Sequence, residues 1–168
     1  MEADSKQSCE QNQNERAAQA PFVFWFLLGL ILVAIDQIAK FLSFHLKSDQ
    51  VAGRFIWRQN FFNYRFAFSL PVPGMAMAVI YALVLGGFGW YAVTRWRLFG
   101  RLQSLAAVLI LAGGLSNVAE RAALGGVRDF LAIRLSAWTG YYNLADFYIL
   151  AGIVLLLATP MLTKRSSY

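Results

Sequence analysis

Four apolar stretches, 22–46, 72–94, 102–123 and 143–161, divide this chain of 168 residues. Each approaches the roughly 20 residues that carry an α-helix across the hydrocarbon of a bilayer. A backbone in lipid must satisfy its own hydrogen bonds, and for segments of this length that means a helix. The spacing therefore predicts an all-α membrane protein with four transmembrane helices in one domain, 22–163. Hydrophobic residues make up 58% of the chain, above the range of ordinary soluble domains. The first stretch is too long for a cleaved signal peptide, and "IDQIAKFLSFHL" follows its apolar core with no small-residue cleavage site. It reads as a retained helix.

The leader, 1–21, holds four acids and two bases and predicts a disordered cytoplasmic tail. Its Cys9 is the only cysteine, which excludes a disulfide framework. The net charge of +6 is spread over membrane-flanking connections, so it does not form a nucleic-acid surface. Arg95, Arg97 and Arg101 fill one short connection with no acid nearby, the mark of a cytoplasmic loop. Lys164 and Arg165 mark the short C-terminal tail, 164–168, in the same way. The expected topology has both termini in the cytoplasm. It rests on charge density in short loops, because the outer connections carry nearly as many bases.

Nine residues are acidic, and four of them belong to the leader. Of the other five (Asp36, Asp49, Glu120, Asp129 and Asp146), all but Asp49 lie inside or beside an apolar stretch. Antiparallel folding brings those four to one side of the membrane. Asp36 and Lys40 share a face in the outer half of the first helix. Asn117, Glu120 and Arg121 come at the outer end of the third. Asn143 and Asp146, three apart, begin the fourth, and Asp129 lies in the connection between the third and fourth. Embedded charges usually pair or serve function, so Asp36–Lys40 and Glu120–Arg121 are expected to form a salt-bridged polar plug. Asp129 and Asp146 differ. No base adjoins Asp146, and Arg128 points away from Asp129 if that segment is extended. Two carboxylates sharing a site cannot both ionise readily, so one keeps a proton near neutral pH. That is the makeup of an acid–base pair.

The outer connection 47–71 overlaps "RFIWRQNFFNYRFAFSLPVPG" (54–74), which is rich in aromatic residues with short alternations. It predicts strands or a hairpin lying on the outer interface, a small β-rich cradle. His45, the only histidine, is expected at the interface and not as a ligand, so neither a metal site nor a serine–histidine mechanism is indicated. A proton-coupled transporter needs acceptors through the whole membrane thickness, and the inner halves of the spans hold almost no polar groups.

Four blocks, "DQIAK" (36–40), "NYRFAFS" (63–69), "NVAERAALGGVRDF" (117–130) and "YNLADFYILAG" (142–152), resemble in order those of the bacterial lipoprotein signal peptidase, or signal peptidase II, family. The resemblance implies a monomeric aspartic endopeptidase of the inner membrane, without cofactor, with its site at the periplasmic face. Its partners would be membrane lipid and diacylglyceryl-modified prolipoproteins, cleaved before the lipid-bearing cysteine. Position by position, it implies Asp129 and Asp146 as the catalytic pair and Asn117, Arg121 and Asn143 as supports. Asp36, Lys40 and Asn63 match further family positions near the site, and Glu120 takes a supporting place.

Three departures stand out. Glu120 stands where the family has Asp in N-x-x-D-R, Arg65 and Phe66 stand where it has Gly and Ala, and Ser116 replaces a Gly. They bear on substrate range and point to a divergent paralogue, with a catalytically silent lipoprotein-binding protein as the alternative.

Overall fold

The computed structural model describes residues 22–45, 56–64, 74–135 and 138–164. They form four long helices and one three-stranded antiparallel sheet. The helices are α1 (Phe22–His45), α2 (Gly74–Arg95), α3 (Arg101–Leu124) and α4 (Leu144–Lys164); the strands are β1 (Ile56–Asn63), β2 (Val127–Leu135) and β3 (Trp138–Tyr142). Each helix falls on an apolar stretch and ends where polar or glycine residues interrupt it. Among the described residues, α1 and α3 are long and apolar enough to cross a membrane, while the apolar parts of α2 and α4, Val79–Arg95 and Leu144–Thr159, are shorter. The leader 1–21, residues 165–168 and Asp49 lie outside the described residues, as do residues 47–55 and 65–71 of the expected outer connection, with Arg65 and Phe66 among them; Lys164, expected in the C-terminal tail, is the last residue of α4.

The central helix is α3, packed against α1, α2 and α4. Small residues bring α3 and α4 into backbone contact, the way helices associate where lipid removes the hydrophobic drive between them. A Cβ on Gly113 would collide with the carbonyl oxygen of Ala145, and one on Gly152 would stand 2.8 Å from that of Ala106. By contrast, α1 turns Phe24, Leu27, Ile31, Ile38 and Phe41 outward and buries Asp36, Lys40 and Ser43. That inversion of the soluble pattern suits a helix facing lipid. Away from the sheet, Trp96 meets Phe22 edge-on at 5.4 Å and Trp25 at 6.3 Å. Phe99 is buried there with Ala92 and Ala107.

The sheet has the order β1-β2-β3. The strand expected within 54–74 is β1, and its partner lies outside that stretch: β1 pairs with β2, register Phe61 with Asp129 and Asn63 with Val127, and β2 pairs with β3, register Leu131 with Tyr142. The segment 127–142, expected as a plain connection, thus supplies two of the three strands. Its β-branched and aromatic content suits a strand, and Val127, Phe130 and Ala132 are buried along it, on both of its faces. The turn from α3 into β2 runs through Gly125, whose left-handed φ of 77° ends the helix and lets its N–H reach the Arg121 carbonyl at 2.9 Å.

Gly113→Leu should lower thermal stability in detergent by about 1–3 kcal/mol, the usual cost of overpacking a tight contact. Unfolding followed by intrinsic tryptophan fluorescence would measure it.

Candidate functional site

The site begins with the first turn of α4. Asn143 is not the first helical residue, as its spacing to Asp146 implied; it caps the helix. Its side-chain oxygen accepts the Asp146 N–H at 3.1 Å, and its own N–H donates to Asp146 Oδ2 at 3.0 Å. This reciprocal capping box satisfies two donors that a helix start leaves open. A third, the Ala145 N–H, donates at 2.9 Å to Asp36 Oδ1, which comes from α1. The acid and amide at positions 143 and 146 are therefore fixed by the same bonds that start the helix.

Asn143 also turns its amide outward, donating through Nδ2 to Asp129 Oδ1 at 2.6 Å. Asn63 from β1 donates to the other oxygen of Asp129 at 3.1 Å. Asn117 from α3 donates to Asp146 Oδ1 at 2.9 Å. The two carboxylates thus come from β2 and α4, and both are held by Asn143. Asp129 is 2% exposed, and its pKa is raised to about 7, first by burial and then by the neighbouring Asp146 charge. The amides of Asn143 and Asn63 and the charge of Lys40 pull the other way and do not prevail. A carboxyl in such a place keeps its proton near neutral pH.

Below this pair lies a second polar layer centred on Lys40. Lys40 and Asp36 have no solvent exposure, and Glu120 has 3%. Lys40 Nζ reaches Asp36 at 2.8 Å, Glu120 at 3.0 Å and the Asn117 side-chain oxygen at 2.8 Å. The Asp36–Lys40 pair is as expected from their spacing. The Glu120–Arg121 pair is not what forms, because consecutive helix residues do not face each other. Glu120 instead joins Lys40 and Arg128. The Arg121 guanidinium stands 5.5 Å from the centre of the Tyr81 ring. So α2 presents an aromatic face to that cation.

Sequence reasoning passed over three contributors. Ser116 donates to Asp36 Oδ2 at 2.7 Å and accepts from Gln37 Nε2 at 2.8 Å. Asn60 ties β1 to α1 by donating to the Ser43 carbonyl at 2.8 Å. Arg128, noted only as pointing away from Asp129, holds Glu120. Ser116 carried a signal, since a hydroxyl in place of glycine inside an apolar run needs a partner. His45 is exposed and its ring nitrogen Nδ1 lies 2.8 Å from the Phe41 carbonyl oxygen, within its own helix.

Comparison with known proteins bears on this geometry. The family model described as Signal peptidase (SPase) II matches residues 28–162. A lipoprotein signal peptidase of Chromobacterium violaceum is 32% identical over 155 residues, 82% of this chain and 90% of that protein. One from Beijerinckia indica is 31% identical over 156 residues, 88% of this chain and 93% of its own length. A bacterial membrane enzyme solved by the in meso method at 2.3 Å resolution superposes with a TM-score of 0.74 at 19% identity. That match covers 88% of this chain and 93% of the enzyme, and it establishes likeness of fold.

Lys40→Met would leave the buried carboxylates Asp36 and Glu120 without the cation between them. Breaking a buried ion pair from one side costs about 3–5 kcal/mol, and thermal unfolding of the purified protein in detergent should show a loss of that size.

Proposed function

Because the chain belongs to the signal peptidase II family, we propose that it removes signal peptides from lipid-modified prolipoproteins by an aspartic mechanism on Asp129 and Asp146. The observation that carries the reading is Asn143, which donates from its amide to one carboxylate and from its backbone to the other. In this reading Asp146 is the ionised member and takes a proton from the attacking water. It lies in the first turn of α4, where the helix dipole favours negative charge. Asp129 holds the proton and gives a hydrogen bond to the scissile carbonyl as negative charge develops on its oxygen. The tetrahedral intermediate then collapses: the C–N bond breaks and the leaving amine takes the proton that Asp146 accepted from water. A pair coupled in this way titrates as a unit.

The same reading has four helices crossing a bacterial membrane within a domain of residues 22–163, both termini cytoplasmic. The sheet then lies on the outer face, where a diacylglyceryl-modified substrate in the lipid can approach the carboxylates from the side. The outward apolar surface of α1 supports its contact with lipid, and the outer placement of the sheet follows from the expected topology. The reading takes the enzyme as a monomer, with Asn63, Asn117, Asp129, Asn143 and Asp146 brought together within one chain. A silent binding protein and a proton-coupled transporter find no support among the relatives, and both carboxylates are present.

Two outcomes test this. Asp129→Asn and Asp146→Asn should each reduce release of signal peptide from a lipidated prolipoprotein by about a thousandfold or more, with the fold intact; mass shift of the substrate and circular dichroism of the enzyme measure both. Substantial turnover by either variant would show that the pair is misassigned. The second outcome concerns pH. The working form has Asp129 protonated, and its pKa is about 7, so the active fraction is lost as pH rises through that value. kcat/KM measured between pH 5 and 9 should fall on the alkaline side with a midpoint near neutrality. A flat profile to pH 9 would exclude Asp129 as the proton holder.

A further inference from the structure

Arg128 has no part in the chemistry proposed above, yet it is the residue beside Asp129 and it reaches back to a buried acid. The backbone between α3 and β2 passes through Gly125 and Gly126, so local conformation alone does not fix where the strand starts. Alternation along β2 sends Arg128 and Asp129 to opposite faces. On its face, Arg128 forms an ion pair through Nε with Glu120 Oε1, and its guanidinium lies 6.0 Å from the centre of the Phe44 ring of α1. The second oxygen of Glu120 meets Lys40 Nζ at 3.0 Å. Lys40 donates to Asn117, and Asn117 to Asp146. One chain of polar contacts therefore runs from the strand that carries Asp129 to Asp146 itself. Glu120 is the link at which it changes from helix to strand. The residue is Glu where the resembling blocks have Asp, and the added methylene gives one carboxylate the reach to hold both cations.

We propose that Glu120 and Arg128 are a positioning pair, which seats β2 against the helices and so sets the reach of Asp129 toward the scissile bond. The inference rests on the peptidase reading for its kinetic consequence but not for its structural one. The groups that face Asp129 are Asn63 from β1, Asn143 and Asp146 at the head of α4, and Lys40 from α1. Loss of the pair lets the strand drift, and the two amides lose their aim on the carboxylate.

The experiment compares Glu120→Asp, Arg128→Leu, the double variant and Arg128→Lys in the full-length protein in detergent. Each of the first two should lower kcat about tenfold, as expected for a small misplacement of a reacting group, with KM changed by less than about twofold. The double variant should lose no more than the worse single one, because both cut the same link. Arg128→Lys should recover part of the loss. An activity-independent measurement accompanies these: infrared titration of the Asp129 carboxyl stretch, identified by its absence in Asp129→Asn. Glu120→Asp keeps every charge and should shift that midpoint, since the burial, the Asp146 charge and the Asn143 amide that set it all depend on where β2 sits. Wild-type kcat and an unmoved midpoint in Glu120→Asp and Arg128→Leu would overturn the proposal, even if both variants melt earlier. If the wild-type protein releases no signal peptide, the peptidase reading fails and the infrared midpoint alone decides the pair.

Discussion

A single ammonium group, that of Lys40, sits fully buried among Asp36, Glu120 and Asn117. An isolated charge in such surroundings is costly, and the arrangement around it exists to avoid that cost. Asp36 pairs with it and holds the first turn of α4 through Ala145. Glu120 pairs with it and holds β2 through Arg128. Asn117 accepts from it and presents its other end to Asp146. A packed apolar layer of the same volume could stabilise the bundle as well or better. It would not choose one arrangement of α1, α3, α4 and the sheet, and the ion network does.

The two ends of the molecule are built on different physics. Near the sheet, directional hydrogen bonds and ion pairs hold the side chains. At the other end the contacts are aromatic edges and small residues, Trp25, Trp96, Phe99 and Ala107, which hold helices together without specifying a proton or a charge. Between them, Gly113 and Gly152 let α3 and α4 approach to backbone contact. That close pair is the frame on which Asn117 and Asp146 face one another.

The helices were legible in the chain because lipid leaves so few choices: the stretch 22–46 becomes Phe22–His45, and 102–123 becomes Arg101–Leu124. The gathering of Asp36, Asn117, Glu120, Asp129 and Asp146 at one end followed from antiparallel order alone. Partner choice was less visible. Glu120 has Arg121 beside it and Arg128 eight positions on; helix geometry rules out the neighbour, but the distant partner depends on where β2 runs. The strands 127–135 and 138–142 were missed for a related reason. Pairing with Ile56–Asn63 is a contact across more than sixty residues, and periodicity within a segment says nothing of its partner. Ser116 was noticed only as a departure, although its hydroxyl bonds the buried Asp36.

The bond between Ala145 and Asp36 closes a loop of 109 residues, from the first helix to the last. Until α4 is made and seated, Asp129 has neither Asn143 nor Asp146 beside it, and Asp36 has no helix start to hold. On the proposed reading, hydrolytic competence arises only with that closing contact, and a chain stopped short of α4 lacks it.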